Sequence, residues 1–417
     1  MEEQKKIINC FPGYEYKLME DGRYHNMYRG VDVGFGGYVY AEPGMYENVW
    51  LFDVGNMHGA SILALNKFGE HTKNYKAIRD ARMAIKHRDY DAIKDMFDGK
   101  FMKYLTSDEE ADRLQMALKL VLNSTYGIAA ATFDNPLKDP RDVNNIIALR
   151  GALFMKTLQD EIVKRGYSVV HCKTDSCKIP NCDSELAKFI FDFGHQYGYE
   201  FEHECVYERM CLVNDAVYIA KYDDQGIRNK GNKHAGEWTA TGAQFQIPYV
   251  FKTLFSKEPI QFKDMCETKT VKSAIYLDFN EGLADVSVYE EELSRREYNS
   301  KRPETEWKKL NKSFNDISDE ELKTEIAKGH DYHFVGKAGS FCPVINGVGG
   351  GNLMRDNKGK MGFVGGTKGY RWMEAEVLRA LGTEEAMRRI NRKYYAALVD
   401  DAVATISEYG DFEAFAS

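Results

Sequence analysis

Two aspartates far apart in the chain have the type and setting that metal-dependent chemistry requires. Asp53 closes the apolar run Val49-Trp50-Leu51-Phe52-Asp53-Val54, and the turn Gly55-Asn56 and a helix-like segment follow at once. A carboxylate at a strand end, beside helix N-terminal N–H groups, can hold a divalent cation while those N–H groups receive phosphate oxygens. The same placement also suits a plain helix cap. Asp175 lies in the stretch "VVHCKTDSCKIP" (169–180), which reads as two short strands joined by a tight turn, with Lys173 two residues before the aspartate.

Cations and rings recur at helical spacing between these two points. Lys119, Asn123 and Tyr126 fall at i, i+4 and i+7, so one helix face offers a cation, an amide and a ring, with Gly127 beside the ring. A lysine for phosphate, a ring for base stacking and a glycine permitting close approach suit nucleotide recognition. Arg79, Arg82 and Lys86 share a second face at i, i+3 and i+7, which reads equally as a solvated basic stripe. Glu202 and Glu204 alternate in "YEFEHEC" and are either a supporting carboxylate pair or an exposed strand face. Arg355, Lys358, Lys360, Lys368 and Arg371 stand in glycine-rich turns, where cations can reach the phosphates of a nucleic-acid duplex or simply face water.

The elements that must position these groups follow from periodicity. Residues 31–54 alternate glycine turns with strand-like runs ("GFGGYVY", "AEPGMYE", "NVWLFDV"). "MHGASILALNKFG" has helical spacing, residues 73–97 read as one long charged helix, and "LTSDEE" supplies a start signal for "ADRLQMALKLVLNSTYG". "NPLKDPRD" opens a further helix that ends at Gly166 and feeds the Asp175 hairpin, and strands return at "YEFEHECVYERMCLV" and "DAVYIAKYD". From about residue 225 glycine-rich turns, a charged segment and C-terminal helices mark a second domain. The expected division is 1–70 and 129–225 for a sheet domain, 71–128 for an inserted helical hairpin and 226–417 for the remainder.

Bulk composition sets bounds without choosing a chemistry. The chain has 417 residues, 43% of them hydrophobic, enough for two or more packed units. Its net charge of −8 argues against a uniformly basic nucleic-acid coat and leaves a local basic cleft open. Eight cysteines contain no C-x-x-C pair, so reduced structural thiols are expected. The start "MEEQKK" lacks an apolar signal region and no apolar run approaches the ~18 residues of a membrane span, so a cytoplasmic protein, in host cytoplasm if viral, is expected.

In order, "LFDVGNMHGASI", "KLVLNSTYG" and "KTDS", separated by a charged helical hairpin, resemble the three polymerase motifs of the B-family DNA polymerases, most closely the bacteriophage members. The resemblance runs over nearly the whole chain, and the complete K-x-x-x-N-S-x-Y-G from Lys119 to Gly127 is its most specific part. It implies an α+β right-hand architecture with an antiparallel-sheet palm, two-helix fingers and a mostly helical thumb. It further implies template-directed extension of a primer with dNTPs by a two-metal mechanism, using Mg²⁺ or alternatively Mn²⁺. Asp53, Asp175 and the carbonyl of Val54 would hold the metals. Arg82, Lys86 and Lys119 would bind the triphosphate, with backbone N–H groups around Asn56 and Met57, and Asn123, Tyr126 and His58 would line the nascent base pair and its sugar. Gly127, Tyr218, Lys221, Lys368 and Arg371 would face DNA.

The chain departs from that pattern in four places. His58 stands where the family usually has a tyrosine under the sugar, which puts sugar discrimination in question and raises a terminal transferase or RNA-synthesising enzyme as a rival. Lys173 replaces the first aspartate of D-T-D-S, from which altered metal preference is expected. The lysine of the K-x-Y element is missing before Tyr218, with Lys221 a substitute. About fifty residues precede Asp53, too few for the N-terminal and 3′–5′ exonuclease domains of the resembling enzymes. A chain that does not proofread is therefore expected, either naturally minimal or served by a separate exonuclease polypeptide, and a sliding clamp or other replisome protein is a further possible partner. The other alternative is a polymerase-like DNA-binding subunit of a split replicase, with weak or no catalysis on its own.

Overall fold

The computed structural model describes residues 10–137 and 145–417, so "MEEQKK" and most of the "NPLKDPRD" helix signal lie outside the described residues. The chain forms two compact units, residues 1–242 with 405–417, and residues 243–404. Both combine helices with antiparallel sheet.

In the first unit, strands β1 (Tyr14–Leu18), β2 (Tyr24–Tyr28) and β3 (Val31–Asp32) make a small sheet. The main sheet takes β4 (Val39–Ala41), β5 (Gly44–Val54), β6 (His171–Lys173), β7 (Ser176–Pro180), β8 (Phe201–Asn214), β9 (Val217–Ile227) and β10 (Trp238–Thr241), in the spatial order β10-β9-β8-β5-β7-β6-β4. Every pairing in it is antiparallel. The segment containing Asp53 and the hairpin containing Asp175 are thus neighbours in the middle of the sheet, although more than a hundred residues separate them. The helices are α1 (Met57–Leu65), α2 (Thr72–Lys86), α3 (Asp108–Ala129), α4 (Ile146–Lys164) and α5 (Ser184–Gln196).

Side chains alternate across β5 and β7 and divide the core in two. Phe52, Val54, Cys177 and Ile179 pack with α1, α4 and α5 in the larger cluster, while Val49 and Leu51 join Val170, Cys205, Tyr207, Met210 and Leu212 on the opposite face. Helix α4 is apolar nearly all round and buried along most of its length, as a helix between core layers must be.

Helices α2 and α3 pack through a core of their own, Ala81, Ile85, Ile93, Ala111 and Leu118. Ser107 caps α3 by accepting the Glu110 N–H at 3.2 Å, and Asp108, Glu109 and Glu110 complement the helix dipole in its first turn. The expected single helix over 73–97 is corrected. α2 stops at Lys86, and Arg88, Phe97 and Asp98 all adopt positive φ in the short turns that follow. Arg88 closes this end: its guanidinium bonds the Ile85 carbonyl at 3.3 Å and the Asp112 carboxylate at 3.0 Å, and the chain returns Ile93 to the core beside Ile85.

The expected boundary near 226 falls at the end of β9. β10 pairs back onto β9, with Thr239 opposite Ala220, so residues through 242 complete the first sheet. The C-terminal segment returns to the same unit, where Arg209 Nη1 donates to the carbonyls of Ala414 and Phe415, both at 3.0 Å. The second unit joins its helices to a sheet that the sequence reading had not placed. β11 (Glu267–Asp278), β12 (Tyr332–Val344), β13 (Asn352–Asn357), β14 (Lys360–Phe363) and β15 (Arg371–Glu374) build a five-stranded sheet in the order β14-β13-β11-β12-β15. The alternation in "ETKTVKSAIYLD", half-buried and exposed residues in turn along β11, is a strand period.

Candidate active site

Register brings the two aspartates together. β5 and β7 pair with Asp53 opposite Ser176, and the Val54 N–H donates to the Asp175 backbone carbonyl at 2.8 Å. β8 runs along the other edge of β5 with Glu202 opposite Asp53, and the Gly55 N–H donates to the Glu200 carbonyl at 2.8 Å. Both aspartates are half-buried.

The hairpin carrying Asp175 is held in an uncommon backbone state. Lys173 and Ser176 pair across a two-residue loop in which Thr174 adopts φ 56°, unfavourable for a β-branched residue. The segment before β4 clamps it: the Thr174 N–H donates to the Tyr38 carbonyl at 2.9 Å, and a Cβ on Gly37 would lie 3.0 Å from the Thr174 side chain. Strain retained at such a point is a mark of functional sites.

Electrostatics set the two carboxylates apart from ordinary surface acids. Asp53 is pushed up to about 7, first by burial and then by the charges of Asp175, Glu204 and Glu202, against which Lys178 pulls. Asp175 is also raised, chiefly by burial, with Glu204 adding to it and a backbone hydrogen bond opposing. Lys178 offsets only part of the burial and charge that raise Asp53, and a divalent cation bound there would supply the rest. Hard oxygen donors suit Mg²⁺ or Mn²⁺. Among the described residues no group of three or more His, Cys, Asp or Glu side chains is placed to hold a metal. One or two carboxylates suffice for Mg²⁺ where water and substrate phosphate complete the shell.

Helix α2 brings its cations to this edge of the sheet. Lys86 Nζ lies 2.8 Å from Glu202 Oε1, and Arg79 Nη2 lies 3.7 Å from Glu200 Oε2. Arg82 stands between them with its Nε buried and unbonded, and its pKa is lowered by burial. The basic face is therefore directed at the strand start beside Asp53. Glu202 faces Asp53 and pairs with Lys86, whereas a bulge in β8 after His203 breaks its alternation with Glu204, which lies 3.9 Å from Lys230.

Around the start of α1, Asn56 adopts φ 58° and Met57 buries its side chain, its Sδ 2.6 Å from where a Cβ on Gly151 would lie. A Cβ on Gly59 would lie 2.3 Å from Asn56 Nδ2, so the Asn56 side chain would have to move to admit one. The His58 ring packs on Tyr126 of α3 with centroids 4.1 Å apart, and burial lowers its pKa. Tyr126 accepts a hydrogen bond from Asn145 at 3.1 Å. Lys119, Asn123 and Gly127 are exposed along α3.

No family model and no curated protein matches the chain. Among solved structures, the family B DNA polymerase from the hyperthermophilic archaeon Pyrobaculum calidifontis aligns at a TM-score of 0.41. The sequences are 13% identical over 89% of this chain and 46% of that one. The chain thus spans about half the length of that polymerase.

Other residues singled out from sequence have different settings. The Tyr218 ring is half-buried on β9, while Lys221 lies three positions on, on the other face of the strand, 3.6 Å from Glu208. In the second unit Lys368 is exposed near the Phe363 ring, and Lys360 pairs with Glu297. Arg371 is tied down, donating to Asn280 Oδ1 at 2.6 Å and to the Gly350 carbonyl at 2.5 Å, so its guanidinium braces loops of its own unit. Among the described residues no helix is long and apolar enough to cross a membrane.

Sequence reasoning passed over Lys178. It follows Asp175 by three positions on β7, opposite Leu51, and is 4% exposed. Its Nζ donates to His171 Nδ1 at 3.0 Å, the other His171 nitrogen donates to the Asp215 carbonyl at 3.1 Å, and the ammonium lies 4.7 Å from the Tyr218 ring centroid. The signal was present as a lysine inside the apolar strand "SCKIP", in phase with Asp53's strand partner Ser176.

Proposed function

We infer that the chain is a DNA polymerase that extends a primer on a template with dNTPs, in which the main sheet, the α2–α3 pair and the second unit would serve as palm, fingers and thumb. The observation that carries this reading is the meeting of Asp53, near the end of β5, with the Asp175 turn of the adjacent β6–β7 hairpin, and the Arg79/Arg82/Lys86 face of α2 directed at the same edge. Carboxylates for metals and cations for a triphosphate are the two halves of a nucleotidyl-transfer site.

Asp53 and Asp175 would hold the divalent ions, with the carbonyl of Val54 a further donor. Such ions activate the primer hydroxyl and offset the charge of the leaving pyrophosphate. The remaining work falls to the chain's own groups. Arg82, Lys86 and Lys119 bind the triphosphate, and the N–H groups at the start of α1, around Asn56 and Met57, receive phosphate oxygens. The His58–Tyr126 pair forms one wall against the sugar and base, and Asn123 lies one turn before Tyr126 on α3. Lys86 must exchange Glu202 for phosphate when nucleotide enters. Tyr218, Gly127, Lys221, Lys368 and Arg371 were expected to face DNA; the ties of Lys221 and Arg371 favour Tyr218, Gly127 and Lys368 for that role.

A second reading, a polymerase-like DNA-binding subunit with weak catalysis, is favoured by Lys173, which places a cation on the strand just before Asp175. Primer extension on recessed primer–template with Mg²⁺ separates the two. Incorporation by the parent protein, abolished in Asp53→Ala and Asp175→Ala, is the expected result. No extension by the parent, or full activity in either variant, overturns the catalytic assignment.

A further inference from the structure

Lys178 is a buried ammonium whose partners are all uncharged or diffuse. Its hydrogen bond goes to a neutral imidazole: His171 accepts at Nδ1 and donates from Nε2 to a carbonyl, and burial with the nearby Lys178 charge pushes its pKa down to about 4. Its other contact is the face of the Tyr218 ring. Among the described residues no carboxylate lies within ion-pairing distance of it, although a buried charge without a partner is costly. The strand period explains what faces it. Lys178 pairs with Leu51, and the next position along the same face of β5 is Asp53, opposite Ser176. The Lys178 charge reaches Asp53 and the Glu204 charge reaches Lys178. The ammonium is therefore held behind the carboxylates, turned away from solvent, by a histidine and a tyrosine.

We propose that Lys178 is a positioning residue of the metal site: a built-in counter-ion that offsets part of the charge of Asp53, Asp175, Glu202 and Glu204 and so weakens the site's intrinsic hold on divalent cations. The proposal rests on the metal-binding part of the polymerase reading. A divalent ion feels the lysine's charge twice over and a proton feels it once, so removing the lysine tightens metal binding even where an aspartate must first lose a proton. With Lys178 in place, firm binding of a divalent cation at Asp53 and Asp175 would need the added charge of nucleotide phosphates.

The test is Mn²⁺ binding to the full chain at pH 7, without nucleotide, read from the electron paramagnetic resonance of free Mn²⁺. Lys178→Met removes the charge at similar volume, Lys178→Gln keeps a donor for His171 Nδ1, and Lys178→Arg keeps the charge. The expected result is an Mn²⁺ Kd lowered on the order of tenfold in Lys178→Met and Lys178→Gln, near parental in Lys178→Arg, with binding lost in Asp53→Ala. Parental affinity in a folded neutral variant overturns the proposal. So does failure of both neutral variants to fold, which would make the lysine structural, and so does absence of Mn²⁺ binding in the parent. Tightened Mn²⁺ binding in a protein that incorporates no nucleotide would leave the proposal standing and overturn the polymerase reading.

Discussion

Replacing Asp53 by asparagine should stabilise the metal-free protein, and increasingly so as pH rises. The Asp53 carboxyl titrates near 7 in the folded chain against an ordinary value of 3.8, because burial and the neighbouring carboxylates disfavour its charge. Between those two values the folded state holds a proton that the unfolded state has released, so unfolding is favoured progressively as pH climbs. The sign is opposite to that of a salt-bridged aspartate: stability is greatest below about 4 and falls until about 7. The interval between 3.8 and about 7, at about 1.4 kcal/mol per pH unit, sets a ceiling of about 4 kcal/mol. Relaxation around the site makes ~2–3 kcal/mol the expected size. Asparagine preserves the shape and removes the charge. Urea unfolding of parent and Asp53→Asn in chelator, from pH 4.5 to 8.5, should give curves that differ least at the acid end and separate toward pH 7.5, with saturating Mg²⁺ narrowing the gap by stabilising the parent alone. A variant no more stable than the parent at pH 8, or a difference that does not grow with pH, would falsify the account of Asp53 as a charge only partly compensated.

Other outcomes follow from named contacts. Lys86→Met should raise the nucleotide KM about tenfold in steady-state incorporation, while Glu202→Gln, which frees Lys86 from its 2.8 Å partner, should lower it roughly threefold. Lys173→Asp adds a carboxylate before Asp175 and should lower the half-saturating Mg²⁺ concentration roughly threefold; an unchanged metal titration would show that Lys173 does not tune the site. Thr174→Gly relieves a positive φ of 56° and should gain about 1 kcal/mol in thermal unfolding, with activity no higher than the parent's. Ser107→Ala removes the cap of α3 and should cost about 1 kcal/mol, seen as faster amide exchange in the first turn of that helix.

Much of the first unit was legible because its residues obey short-range rules. Apolar strand-like runs bounded by turns marked β5 and β7, alternation marked β8, and "LTSDEE" marked the start of α3, where Ser107 does cap the helix. The end of α2 was less visible. Residues 87–97 carry helix-compatible side chains, and what stops the helix is Arg88 bonding to Asp112 while Ile93 returns to the core, both long-range events. The sheet of the second unit was hidden by its glycines and by loops that interrupt the alternation, and Arg371, read as an exposed cation, turned out to brace Asn280 and Gly350.

The same division runs through the site. Residue type and local spacing determined that Asp53 ends a strand, that Asp175 sits in a tight hairpin, and that Arg79, Arg82 and Lys86 share one helix face, because these properties depend on neighbours within a turn or a strand period. Register between distant strands decided that Asp53 stands beside the Asp175 hairpin, that Glu202 stands opposite Asp53, and that Lys178 lies buried behind them. A one-residue slip of β7 against β5 would turn Lys178 to the other face of the sheet and leave Asp53 without its cation. Charge compensation in a low-dielectric interior depends on such placement, and strand pairing alone sets it.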